Sequence, residues 1–343
     1  NKILGSEEEY FYRNKMEFTF SNKRWLTQEE IANDSEIKNK DALGFHVPGM
    51  FDKVIDLNKC YLQKEPSNKI RLAVKKFADK NKLLYFDLRN QTGLLRNLLI
   101  RTSTTGELMV LVQFFNNDIE KIELLMNYLN NTFKEITSLL YTVNSKGNNT
   151  LYDQDIICFS GKDHITEEID DLVFKIGPKS FFQTNSKQAK KLYSITRDLA
   201  EINKNDIVYD LYTGTGTIAQ YVSKKAKLVI GIDSVEEGII AAYENAKFNN
   251  IENCTFYTGD MKDIFTEEFI FKNGHPNIII TDPPRDGMHK KVVEQILNIL
   301  PKRIVYVSCN SATQARDISI LKEKYKLTKI QTVDMFPQTH HVE

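Results

Sequence analysis

The sequence predicts a doubly wound α/β fold, Rossmann-like with a mainly parallel sheet, preceded by an α+β domain. Two observations carry this. After residue 172, runs such as "IVYDL", "LVIGID", "NIIITD" and "RIVYVSC" alternate with helix-patterned segments. Those runs are nearly continuously apolar, as strands covered on both faces must be. Before residue 172 the pattern differs. "FYRNKMEFTF" alternates polar and apolar residues, and "GLLRNLLIRTS" meets "ELMVLVQFF" through a Thr-Thr-Gly turn. Such a pattern marks antiparallel strands. Two domains are therefore expected, 1–171 and 172–343.

The elements follow in order. A half-buried strand is predicted over 11–20. A polar, loop-like stretch then leads to "GFHVPGMFDKVIDL". "SNKIRLAVKKFADKNK" has helical spacing with a Ser or Asn start. Two strands, an amphipathic helix over 118–133 and further strands over 140–147 and 155–169 complete the first domain. The second opens with a Ser-capped helix over 186–202. Six strands follow, "IVYDL", "LVIGID", "CTFYTGD", "NIIITD", "RIVYVSC" and "LTKIQTVDMF", separated by helices at 217–225, 235–250, 289–299 and 312–325.

Composition narrows the function classes. The 343 residues are 41% apolar and carry a net charge of zero, so any basic surface for a polyanion must be local. The four cysteines, Cys60, Cys158, Cys254 and Cys309, lie far apart with no CxxC. That fits a reducing cytoplasm rather than a disulfide framework. No apolar run reaches the roughly 20 residues that span a bilayer, and no signal peptide is visible. No membrane association and no obligate protein partner are expected. The chain lacks an initiating Met and stops at Glu343, so it reads as a piece of something longer.

In parallel sheets, ligands bind at the carboxyl ends of strands. "YDLYTGTGTIA" places Gly214 and Gly216 between a strand and a helix, where the backbone can approach a ligand closely. The third Gly of the dinucleotide fingerprint is absent, as is the Lys-Ser/Thr of a phosphate loop. The next strands end in Asp233, suited to ribose hydroxyls, Asp260, suited to an adenine amino group, and Asp282. Each alone would be an ordinary helix cap. Together they favour an adenosine-bearing cofactor without a pyrophosphate, S-adenosylmethionine. The Asp-Pro-Pro-Arg around Asp282 resembles the motif of amino-group methyltransferases, but Arg285 replaces their aromatic base platform.

The fifth strand ends at Cys309, next to a predicted helix start. A lone cysteine is commonly a small buried hydrophobe. A helix N-terminus would instead favour its thiolate. A thiolate beside a methyl donor suits methylation of a pyrimidine. Addition at C6 makes C5 nucleophilic, and a base must then remove the C5 proton. His340, His341 and Glu343 are candidates for that base.

"FFQTN", "DLYTGTGT", "TDPPRDG", "VSCNSATQARD" and "DMFPQTHHVE" occur in this order. With them the chain resembles the RNA uracil-5 methyltransferases, of the 23S rRNA (uracil-5-)-methyltransferase type. "FYRNKMEF" and "TGLLRNLLIR" resemble that family's central domain. The resemblance implies Cys309 as the nucleophile and Glu343 as the C5 base. It implies cofactor contacts from Gln183, Tyr212, Thr217, Asp233, Asp260 and Asp282, with Asp282 also facing the target base. It implies RNA contacts from Arg13 and Arg285. Cys60 falls where the family's fourth [4Fe-4S] ligand stands; the other three ligands, and the OB-like domain many members carry, would lie upstream. An RNA substrate, rRNA above tRNA, is expected, with the target uracil unpaired or flipped. Lys187, Lys190, Lys191 and Arg285 are candidates for a phosphate track. The rival readings are an amino-group methyltransferase and a non-catalytic RNA-binding factor.

Overall fold

The computed structural model describes residues 2–32 and 40–343. Part of the stretch expected to be a polar loop, 33–39, lies outside the described residues. The chain forms two compact units. One comprises Tyr10–Thr166 with Gly177–Lys179. The other comprises Asn1–Glu9, Glu167–Ile176 and Ser180–Glu343. The expected boundary at 171/172 falls inside a hairpin.

The first unit contains β1 (Lys15–Ser21), α1 (Gln28–Ala32), β2 (Ala42–Val47), β3 (Met50–Asp56), α2 (Ser67–Lys80), β4 (Leu95–Thr102), β5 (Leu108–Phe114), α3 (Ile119–Thr132), β6 (Ser138–Val143) and β7 (Ile157–Gly161). Its sheet runs β3-β2-β1-β4-β5-β6-β7. All pairs are antiparallel except β5–β6, which is parallel and was not foreseen. The intervening α3 makes that crossover possible, since parallel neighbours need a long connection. The β2–β3 hairpin turns at Pro48-Gly49, with Gly49 at φ 79°. Ile70, Val74, Leu125 and Leu129 of α2 and α3 share an apolar core with Phe18, Leu98 and Val110 of the sheet. Neither helix begins on a Ser or Asn cap. Pro66 precedes α2, and Asp118 caps α3 by accepting from the Lys121 N–H.

β8 (Ile165–Ile169) and β9 (Leu172–Ile176) form the hairpin that precedes the second unit's main elements. These are α4 (Ser186–Ala200), β10 (Ile207–Leu211), α5 (Thr217–Ser223), β11 (Leu228–Asp233), α6 (Glu236–Phe248), β12 (Cys254–Thr258), α7 (Met261–Ile264), α8 (Glu267–Asn273), β13 (Ile278–Thr281), α9 (Lys290–Ile299), β14 (Arg303–Tyr306) and α10 (Ser311–Leu321). The sheet order is β12-β11-β10-β13-β14, parallel throughout. β13 is buried at every position, as its unbroken apolar sequence requires. Asn185, not Ser186, caps α4 by accepting from the Gln188 N–H.

The expected sixth strand, 327–336, does not join the sheet. Leu327 and Ile330 stay exposed. Thr332, Val333 and Asp334 instead bond to Leu4 on one side and Glu343 on the other.

Candidate active site

The loop after β10 has three residues of positive φ, Tyr212 at 65°, Gly214 at 54° and Gly216 at 73°. A Cβ on Gly216 would come within 2.9 Å of the Ala242 methyl and the Phe256 ring. A Cβ on Gly214 would meet nothing within 4 Å. The first glycine therefore gives open approach, and the second gives close packing beneath the loop. Asp233, ending β11, holds the loop from the side. Its two oxygens accept from the Gly214 and Val235 N–H groups, both at 2.9 Å. Each oxygen keeps a lone pair, which is what a ribose hydroxyl needs.

Asp210 lies under the loop and the sequence reading did not single it out. It is fully buried. One oxygen accepts from the Thr213 hydroxyl at 2.6 Å and the Ala219 N–H at 3.0 Å. The other has no hydrogen-bond partner. Burial, aided by Asp282 and Asp233, pushes this carboxyl up to about 7. An acid one residue before the end of an otherwise apolar strand was the available signal.

The remaining cofactor candidates are placed as follows. Burial raises the Tyr212 phenol to about 12, with Asp260, Asp317 and Asp233 among the charges around it. Thr217 is buried, 3.3 Å from the Thr215 hydroxyl. Gln183 is buried just before α4. Asp260 is exposed and caps α7, accepting from the Lys262 N–H at 3.1 Å and pairing with the Lys262 ammonium at 2.7 Å.

The ends of β13 and β14 bring the chemistry-bearing groups together. The half-buried Cys309 thiol is pushed up by burial first and by the Glu343 carboxylate next. Asp282 adds to the rise, and the Arg285 guanidinium opposes it. The expected lowering by the helix N-terminus does not prevail: Cys309 precedes Asn310, the cap of α10, and two carboxylates face it. Arg285 is anchored through its carbonyl, which accepts from Asn310 at 2.9 Å and Thr313 at 3.1 Å. Asp282 is raised to about 6 by burial.

Glu343 is raised to about 8, by burial first and Asp282 next, against Arg285. Its backbone is tied both ways to Val333, at 2.8 and 3.0 Å, and its buried Oε2 has no hydrogen-bond partner. Cys309, Asp282, Arg285 and Glu343 thus form one cluster. The buried Tyr193 of α4 joins it, its phenol raised by burial and then by Asp282. Sequence reasoning missed Tyr193, because on a helix it looks like a core residue. His341 lies against His340, ring centroids 4.1 Å apart and tilted by 39°, and feels Arg285.

Two other expectations fare differently. Lys187, Lys190 and Lys191 each meet a carboxylate, Glu8 at 2.9 Å, Asp170 at 2.6 Å and Glu7 at 2.8 Å. A phosphate would have to compete for them. Arg13 lies in the first unit, its N–H bonded to the Leu62 carbonyl at 2.8 Å.

The open approach at Gly214, the lone pairs of Asp233 and the orphaned oxygen of Asp210 fit a cofactor with hydroxyl and amino donors. Cys60 is the single iron–sulfur ligand expected within this chain. Among the described residues no group of three or more His, Cys, Asp or Glu could hold a metal. Cys60 is buried in the apolar core, its N–H and carbonyl both bonded to Asn68. Among the described residues no helix is long and apolar enough to cross a membrane.

The profile of the tRNA (uracil-5-)-methyltransferase family matches residues 102–343. An uncharacterized RNA methyltransferase of Bacteroides thetaiotaomicron is 56% identical over 344 residues, covering 99% of this chain and 76% of that protein. One of Porphyromonas gingivalis is 52% identical, covering 99% and 75%. Among solved structures, the Pyrococcus abyssi tRNA (uracil-54, C5)-methyltransferase in complex with S-adenosyl-L-homocysteine matches with a TM-score of 0.79 at 28% identity. That match covers 99% of this chain and 76% of that one. The chain belongs to the tRNA (uracil-5-)-methyltransferase family, RNA methyltransferases that depend on S-adenosylmethionine.

Proposed function

We propose that this protein methylates C5 of a specific uridine in RNA through a temporary Cys309–C6 bond. The observation that carries the reading is the cluster of a half-buried thiol, a proton-hungry Glu343 carboxyl and the Arg285 guanidinium. The Cys309 thiolate adds to C6, forming an S–C bond and placing the electron pair on C5 and its conjugated carbonyl. S-adenosylmethionine supplies a methyl group on a sulfonium, which the nucleophilic C5 attacks. Glu343 then takes the C5 proton, the C5–C6 double bond re-forms, and the thiolate leaves. A carboxylate whose proton affinity lies near neutral pH suits that acceptor role. Arg285 offsets the negative charge gathered around the sulfur.

Gln183, Tyr212, Thr217, Asp233, Asp260 and Asp282 would hold the donor, with Asp282 also reaching towards the base. Arg13 and Arg285 would contact RNA. Flipping the uracil out of a stem costs a few kcal/mol, so an unpaired target is favoured. The free cysteines fit a cytoplasmic setting. The proposed substrate is 23S rRNA, on the sequence resemblance. A tRNA uridine is the second reading, favoured by the activity named for the Pyrococcus abyssi protein. Incubation with labelled cofactor and separate rRNA and tRNA from a deletion strain tests both. Cys309→Ser should abolish transfer, and Glu343→Gln should trap a denaturation-resistant RNA adduct. Continued methylation by Cys309→Ser would refute the covalent route.

A further inference from the structure

We infer that residues 2–8 form a strap that positions Glu343 for proton removal, acting through the strip 332–334. The inference rests on reading Glu343 as the C5 base. The Leu4 N–H donates to the Thr332 carbonyl at 2.8 Å, and the Asp334 N–H donates to the Leu4 carbonyl at 2.9 Å. On its other side the strip exchanges two backbone hydrogen bonds with Glu343, through Val333. Val333, fully buried, is therefore the middle rung between Leu4 and the base.

No regular strand supports this strip, since 327–332 stays out of the sheet. Two further ties come from α4 and its cap: Gln188 donates to the Asp334 carbonyl at 2.8 Å and Asn185 to the Met335 carbonyl at 3.2 Å. The same helix latches the strap through Lys187 to Glu8 and Lys191 to Glu7. Gln331 adds a bond to the Lys2 carbonyl at 2.9 Å. Leu4, Glu7 and Glu8 are thus positioning residues, not catalytic ones. The geometry matters because displacing a reacting group by about 1 Å can cost roughly a hundredfold in rate.

Charge reversal and charge swap test this. Lys187→Glu with Lys191→Glu should release the strap, and adding Glu7→Lys with Glu8→Lys should latch it again. The probes are amide hydrogen exchange at Val333, Asp334 and Glu343, and single-turnover methylation of bulk rRNA and tRNA from a deletion strain. The reversal should speed exchange about tenfold and accumulate covalent RNA adduct, and the fourfold variant should restore both. Leu4→Pro, which removes the donor to Thr332, should behave like the reversal. Unchanged exchange in the reversal, or no recovery in the swap, overturns the strap. Weakened RNA binding that the swap fails to recover would assign the lysines to phosphate and likewise overturn it. Glu343→Gln run alongside isolates the underlying reading: absence of adduct there rejects the base assignment, while the exchange data still judge the strap.

Discussion

Glu343→Gln should change how stability depends on pH, not merely its level. In the folded chain the Glu343 carboxyl holds its proton up to about 8, against an ordinary 4.5. Below pH 4.5 both folded and unfolded chains are protonated there, and no penalty exists. As pH rises from 4.5 to 8 the unfolded chain gives up its proton and the folded chain keeps it. Folding therefore loses stability across that window, and the full penalty is present above it. That rise from 4.5 to about 8 corresponds to a ceiling of about 5 kcal/mol. Glu343 is not fully enclosed and shares its raised affinity with Asp282, so about half of that, roughly 2–3 kcal/mol, is a sound expectation. Glutamine carries no charge at any pH. The variant should match the wild-type pH dependence near pH 4.5 and gain on it progressively up to pH 9. That gain corresponds to about 4–12 °C in melting temperature for a unit of this size. Thermal unfolding at half-unit steps from pH 4.5 to 9 measures it, and any constant offset from the amide cancels in the slope. Parallel curves across the whole range would show that the carboxyl is not held in a proton-retaining site, and the base assignment would lose its physical support.

Three further outcomes follow from the same geometry. Methyl transfer under single-turnover conditions should still be rising at pH 8, because the thiol, held above its ordinary value, must act unprotonated, whereas release of the methylated RNA should rise with pH towards about 8, where the Glu343 carboxyl gives up its proton; profiles flat from pH 6 to 9 would contradict this. Gly216→Ala should destabilise the fold by roughly 2–4 kcal/mol, from left-handed strain plus the clash with Ala242 and Phe256, as read by denaturant unfolding. Gly214→Ala has free space around its new methyl and should cost only about 1 kcal/mol of stability; its effect should appear instead as weaker S-adenosylmethionine binding by calorimetry.

The strand-end residues were legible because an apolar run must stop where its sheet meets water, and the next polar side chain then sits at the crevice. Asp233, Asp282 and Cys309 were found that way. Asp210 was not, because it lies inside a run that otherwise looks like buried strand. Tyr193 escaped for the corresponding reason on a helix. The raised proton affinity of Cys309 comes first from burial and then from Glu343, 34 positions away in sequence, so local pattern pointed in the opposite direction. The pairing of Leu4 with Val333 spans nearly the whole chain and leaves no local trace. The parallel β5–β6 pair was readable in principle from the helix between them, but neighbouring antiparallel hairpins masked it.

The strand order has a consequence for how this chemistry can be redirected. The chain winds outward from β10 through β11 to β12, then jumps back across the centre to wind the other way through β13 and β14. The first limb carries the Gly214 loop, Asp233 and Asp260; the second carries Asp282 and Cys309. Loops leaving the two limbs part company at the central reversal, so connectivity alone opens the crevice there. On the proposed reading most donor contacts would lie on the first stretch and the attacking thiol on the second, with Asp282 serving both. New acceptors could be reached by remodelling the second winding while the first goes on serving the same donor.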